Sequence, residues 1–177
     1  MKKALVTIVA LFLFVGISQA QNKMYLNVGG NVLLPMGDFG DAANLGFGGT
    51  AQFEMEFMPQ LLGTAQAGYI MWGTDVDDVD FSAIPVMVGA KYYFMPTGGF
   101  YGHGQLGLYF LSFNYPTVQT PLGSFGGSTT DSEFALSLGA GYELPLSPKL
   151  MLDLSGAFLL ISDANNINFR AGVKFGL

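Results

Sequence analysis

From Met24 onward, apolar residues alternate one by one with polar or small ones, and clusters of turn formers break the pattern at intervals. The segment from Phe47 to Phe57 shows it most plainly. Phe47, Gly49, Ala51, Phe53, Met55 and Phe57 form one set, and Gly48, Thr50, Gln52, Glu54 and Glu56 form the other. Successive side chains of a strand point to opposite sides, so Phe53, Met55 and Phe57 share an uncharged face, with Glu54 and Glu56 on its reverse. A helix would bring Glu54 beside Met58 and mix the two sets.

The same reading predicts eight strands. The first sets Met24, Leu26, Val28, Val32 and Leu34 against Tyr25, Asn27 and Asn31, and the segment above is the second. The third, near 61–72, sets Ala65, Ala67, Tyr69 and Met71 against Thr64 and Gln66. The fourth sets Ile84, Val86, Val88, Tyr92 and Phe94 against Lys91 and Tyr93; the fifth sets Phe100, Leu106, Leu108 and Phe110 against Tyr101, His103, Gln105 and Tyr109. The sixth carries Phe134, Leu136, Leu138, Tyr142 and Leu144 opposite Glu133, Ser137 and Glu143. In the seventh, Leu150, Leu152, Leu154, Phe158 and Leu160 oppose Asp153 and Ser155; in the last, Ile167, Phe169, Val173 and Phe175 oppose Arg170 and Lys174.

The connections after the second, fourth and sixth strands are short. Those after the first, third and fifth are long, the longest running from Asn114 to Ser132. Of the eight prolines, only Pro85 is expected near a strand, at its start where a missing N–H is tolerated; the other seven are expected in connections. An even number of antiparallel strands, with short turns at one end and longer loops at the other, is the arrangement of a transmembrane barrel. Crossing the hydrocarbon layer takes tilted strands of about 9–11 residues. The expectation is therefore an all-β fold, an eight-stranded antiparallel transmembrane β-barrel in up-and-down meander order.

Alternation does not say which face is inside, since a soluble carrier barrel alternates with its apolar residues inward. Volume and charge decide. The apolar set holds most of the strand Phe, Leu, Ile and Val residues, too bulky for an eight-stranded interior, and the opposite set is rich in Gly, Ser, Thr, Asn and Gln. Only 11% of the residues are charged, too few to coat a water-exposed surface, where about a quarter is usual. The lipid face is expected to be uncharged, and the luminal face to carry a polar network of Glu54, Glu56, Lys91, His103, Glu143, Asp153, Arg170 and Lys174. The four carboxylates are expected to pair with the three cations, because burying such charges alone is expensive. The lumen would then be plugged by side chains. Phe57, Tyr92, Phe94, Phe100, Tyr142 and Phe175 are expected to form an aromatic girdle at the short-turn end, with Tyr69 and Trp72 at the long-loop end.

The chain has 177 residues, enough for one domain, and no cysteine, which removes disulfides and thiol chemistry. A formal charge of −6 argues against a nucleic-acid partner. Lys2 and Lys3, the apolar run from Ala4 to Ile17, and Ser18-Gln19-Ala20 predict a signal peptide over 1–20, cleaved after Ala20, ahead of a barrel domain over 21–177. Cleavage removes two positive charges and takes the net charge from −6 to −8. With the mature N-terminus entering from the side of export, the short turns are expected at the periplasmic face and the long loops outside.

Gly29-Gly30-Asn31 with Pro35-Met36-Gly37-Asp38, then Gly89-Ala90-Lys91-Tyr92-Tyr93-Phe94, and the closing Phe169-Arg170-Ala171-Gly172-Val173-Lys174-Phe175 carry a family likeness. Across the mature sequence the chain resembles the small eight-stranded outer-membrane β-barrels of the OmpX and OmpA transmembrane-domain type. The resemblance implies an outer-membrane location, contact with outer-membrane lipids and lipopolysaccharide, and insertion by the barrel-assembly machinery through the last strand. Members usually end in Phe, whereas this chain ends Phe175-Gly176-Leu177. No peptidoglycan-binding domain is expected after the barrel. A monomer is expected, and no cofactor or metal.

Gly102-His103-Gly104-Gln105-Leu106-Gly107 matches a dinucleotide-binding pattern literally but continues as an alternating strand rather than a helix. His103, the only histidine, raises a lipid A-modifying enzyme, since some small outer-membrane barrels use His in that chemistry. Its place near the short-turn end, away from the outer leaflet, favours a luminal hydrogen-bonding role, so no enzyme is expected. Asp75, Asp77, Asp78 and Asp80 cluster in the 73–82 loop, with Asp38, Asp41, Asp131 and Asp163 in others, and read as a solvated acidic rim, open to divalent cations near lipopolysaccharide phosphates. Three functions follow in order: a structural or interaction protein serving adhesion or envelope integrity, a narrow cation-favouring channel, and a lipid-modifying enzyme.

Overall fold

The computed structural model describes residues 23–73, 80–96, 99–120, 123–162 and 164–177. The segment expected as a signal peptide, and Asp75, Asp77, Asp78 and Asp163, lie outside these. Eight antiparallel strands close into a barrel in meander order, β1 (Met24–Pro35), β2 (Gly46–Met58), β3 (Leu61–Trp72), β4 (Asp80–Tyr93), β5 (Phe100–Thr120), β6 (Gly123–Ser147), β7 (Leu150–Ile161) and β8 (Asn166–Gly176). Pairing of β1 with β8, from Tyr25↔Gly176 to Pro35↔Asn166, completes the ring and leaves no open edge at the seam.

The alternation sorts the faces as expected. Leu26, Phe53, Met71, Val88, Leu106, Leu138, Leu154 and Phe169 are exposed on the outer wall, and Asn27, Glu54, Gln66, Lys91, Gln105, Ser137, Asp153 and Arg170 are buried inside it. At the short-turn end, Phe57, Tyr92, Phe94, Phe100 and Phe175 are exposed as a girdle, with Phe100 and Tyr142 in edge contact at 4.6 Å. The tight Met58-Pro59-Gln60 connection holds Gln60 at φ 74, where its side chain donates to Tyr93 O at 2.9 Å and its carbonyl accepts from Tyr93 N–H at 2.8 Å.

Four expectations are corrected. The strands run from 11 to 25 residues, and all but β8 exceed the about 9–11 that a crossing needs. The stretch 114–132 is not a loop: β5 and β6 extend through it as a hairpin, paired from Asn114↔Ser128 to Thr120↔Gly123, with only 121–122 between them undescribed. Its Gly and Ser suggested a loop, but Tyr115, Thr117, Val118, Thr120 and Thr129 favour extended backbone. Prolines also enter strands. Pro35 ends β1, Pro85 lies inside β4, Pro116 falls within a register shift of β5, and Pro145 borders one of β6. Pro85 sits where the β3–β4 ladder skips from Ala67↔Val86 to Ile70↔Ala83, so its missing N–H leaves no broken bond. Finally, the turn formers after β1 include a short helix, α1 (Asp38–Ala42), entered through Gly37 at φ 63.

Candidate functional site

The buried charges of the described residues are Glu54, Lys91, Glu143, Asp153, Arg170 and Lys174, three of each sign. They come from β2, β4, β6, β7 and β8 and meet in the middle of the lumen. Lys91 Nζ lies 2.9 Å from Glu54 Oε1, 2.8 Å from Glu143 Oε1 and 3.1 Å from Asp153 Oδ2. Lys174 Nζ lies 2.8 Å from Glu54 Oε2 and 3.1 Å from Glu143 Oε1, and donates to Tyr93 OH at 2.9 Å. Arg170 Nη1 stands 3.6 Å from Asp153 Oδ2, while its Nε donates to Thr50 Oγ1 at 3.0 Å and its Nη2 to Asn27 Oδ1 at 2.9 Å.

Neutral partners fill the remaining valences. Asn27 Nδ2 donates to Glu54 Oε1 and to Asp153 Oδ2, Gln52 Nε2 donates to Glu54 Oε1 at 2.8 Å, and Tyr101 OH donates to Asp153 Oδ1. Gln105 Nε2 donates to Gln52 Oε1 and Thr64 Oγ1. All eight strands therefore contribute a side chain to one connected set. Carboxylate oxygens of Glu54, Glu143 and Asp153 lie within 4.8 Å of one another, as metal ligands would. Lys91 Nζ touches all three, so an ammonium group supplies the positive charge there.

Rings close the set toward the short turns. Lys91 Nζ lies 4.3 Å over the Tyr101 ring and Lys174 Nζ 4.2 Å over the Tyr25 ring, both within cation–π range. Tyr93 and Tyr101 meet edge-on at 5.7 Å and pack with Leu62. Toward the long loops a second layer closes the lumen, in which Leu33, Ile70, Trp72, Met87, Tyr109, Leu159 and Ile161 pack with Phe39 of α1. The charged set thus sits between an aromatic layer and an apolar one.

Two of the eight residues expected in this network stand apart. Glu56 lies on the luminal side of β2 near its short-turn end, where it is partly exposed and pairs loosely with Lys23 at 3.7 Å. His103 faces the lumen opposite Lys91, with its ring 5.9 Å from that of Tyr101, but its buried Nε2 has no hydrogen-bond partner. Trp72 is also corrected. It is 2% exposed where Tyr69 is 48% exposed, and its indole N–H donates to Asn166 Oδ1 at 3.2 Å inside the barrel. Tyr25, Asn27, Tyr93 and Tyr101 join the site beyond the eight expected residues, and their luminal parity with Lys91 and Asp153 is visible in the alternation.

A family model described as outer membrane protein beta-barrel domain matches residues 6–175. The chain belongs to this family. It is an outer-membrane β-barrel protein, located in the outer membrane. Among solved structures, this outer-membrane barrel is similar to Ail, the attachment invasion locus protein of Yersinia pestis, with 18% identity, a TM-score of 0.63, and coverage of 89% of this chain and 99% of that one. It is similar also to Neisserial surface protein A, with 14% identity, a TM-score of 0.62, and coverage of 87% and 97%. A complex of Ail with the heparin analogue sucrose octasulfate matches at 14% identity, a TM-score of 0.59, and coverage of 88% and 97%. At such identities the likeness concerns the fold. No curated protein matches the chain by sequence.

Proposed function

We propose that this outer-membrane barrel is a non-conducting, non-enzymatic scaffold whose acidic outward connections make its contacts, in adhesion or in envelope integrity. One observation supports this reading above the others: among the described residues six buried charges, balanced three to three, fill the lumen between the Tyr93–Tyr101 layer and the Leu33–Trp72 layer. A water column would have to cross both layers and part ion pairs of 2.8–3.1 Å. In barrels of this kind the short turns face the periplasm and the longer loops face outward. The proposal includes export with cleavage after Ala20, assembly through β8 despite the terminal Leu177, and a monomer among outer-membrane lipids and lipopolysaccharide.

Charge supports the choice of contact surface. No Lys or Arg occurs between Lys23 and Lys91, between Lys91 and Lys149, or between Lys149 and Arg170, so the long connections hold carboxylates without cations. A polyanion of the kind in the Ail complex is not the partner this chemistry selects. Refolded mature protein in liposomes tests the reading through solute flux, with folding checked by heat-dependent gel migration. The expected flux equals that of empty liposomes. Flux of small cations above that level would instead support the narrow channel.

A further inference from the structure

The outward mouth of the barrel holds a cavity of about 430 Å³ that the scaffold reading leaves unused. Its floor is aromatic: Phe39 of α1 stands edge-on to Trp72 of β3 at 5.9 Å and to Phe81 of β4 at 6.5 Å. Its rim is acidic, formed by Asp38 of α1 with Asp131 and Glu133 of β6. The Trp72 indole N–H is already bonded to Asn166, so the floor presents ring surface rather than a donor. The rim carboxylates have no ion-pair partner among the described residues, and the stretches of chain that build the mouth contain no Lys or Arg to supply one.

We propose that this cavity binds a small organic cation, an ammonium or guanidinium group carried on an aromatic or branched apolar body. The volume lies in the range of single small-molecule sites, about 300–1,000 Å³. Each part of such a ligand meets a complementary part of the cavity. The apolar body covers the half-buried rings of Phe39 and Phe81, and the cation lies between the carboxylate rim and the ring faces, which attract it further. A metal ion would use the carboxylates and leave the rings bare. An anion of the same shape would be repelled by the rim, and a neutral isostere would lose the charge contacts.

Trp72 is the only tryptophan of the chain, so its fluorescence reports the cavity directly. The test titrates refolded full mature protein, in a non-ionic detergent at low salt, with phenethylammonium, 2-phenylethanol, phenylacetate and MgCl₂. The proposal expects a saturable change in Trp72 emission with phenethylammonium, at least about tenfold tighter than with either isostere, and weakened by added NaCl. Asp131→Asn with Glu133→Gln, both at exposed or half-exposed positions, should weaken it about tenfold while the heat-dependent gel shift is kept. Equal saturation by phenethylammonium and 2-phenylethanol would overturn the proposal. So would an unchanged affinity in the folded double variant, or the same Trp72 response to MgCl₂ alone.

Discussion

Glu143 on β6 and Asp153 on β7 stand directly opposite each other across the strand pair, two carboxylates at a position where like charges repel. Lys91, reaching over from β4, touches both at 2.8 and 3.1 Å and joins them to Glu54. The ion set is therefore a condition of the register as well as a filling of the lumen. Lys91→Met leaves three buried carboxylates with two cations, and a buried pair broken on one side typically costs about 3–5 kcal/mol. Urea unfolding of the refolded barrel should show that loss. Adding Glu143→Gln to Lys91→Met restores the balance of charge and should recover a measurable part of it.

Glycine on the luminal face makes room for this set at a specific place. A Cβ on Gly141 would enter the Tyr101 ring and approach Leu154 O at 2.7 Å, whereas one on Gly30, on the outer wall, would meet nothing nearer than Gly48 O at 3.9 Å. Gly141→Ala should push Tyr101 off Asp153 and destabilise by about 1–3 kcal/mol, as overpacking does. Gly30→Ala should be neutral or slightly stabilising. Unfolding midpoints of the two variants, measured side by side, check the contrast.

The outer wall predicts a dependence on depth. Val88 lies near the middle of β4, opposite Leu106, and Tyr92 lies in the girdle at its end. Val88→Arg should destabilise the barrel in lipid by about 2–4 kcal/mol, and Tyr92→Arg by about 0–1 kcal/mol. Reversible folding into vesicles gives both values.

Glu56 should behave unlike Glu54. Its partner Lys23 is 71% exposed and 3.7 Å away, so Glu56→Gln should change stability by less than about 1 kcal/mol. Glu54→Gln, which strips charge from contacts with both Lys91 and Lys174, should reduce stability several-fold more in the same unfolding assay.

The contrast between Glu54 and Glu56 also marks what the sequence made legible. Alternation assigns a side of the wall, and it placed Glu54, Lys91, Glu143, Asp153, Arg170 and Lys174 inside because lipid excludes charge from the other side. It does not give the depth of a side chain within the lumen, so Glu56, two residues further along the same face, looks equivalent although it sits near the short-turn end of β2 and is partly exposed. Trp72 shows residue type competing with parity. Tryptophan suggests a membrane interface, yet its alternation with Ile70 put it in the lumen, where Asn166 satisfies its N–H. The apolar layer was readable in the same way, since Leu33, Ile70, Leu159 and Ile161 occupy luminal positions near the loop ends of their strands. The β5–β6 extension and α1 were harder. Both lie where Gly, Ser and Pro signal a break, and only cross-strand pairing or packing of Phe39 on Trp72 decides otherwise.

The central claim is that the lumen is closed and its ammonium groups are held away from water. Nitrogen-15 NMR of the lysine ammonium groups in the refolded, lysine-labelled mature protein tests it most directly. Lys91 and Lys174 are each 2% exposed, and Lys23, at 71%, is the internal reference. The account predicts two slowly exchanging ammonium signals, one lost in Lys91→Met and the other in Lys174→Met, with Lys23 exchanging fast. Fast exchange at all lysines in a folded barrel would mean that water reaches the middle of the lumen, and would contradict the closed interior.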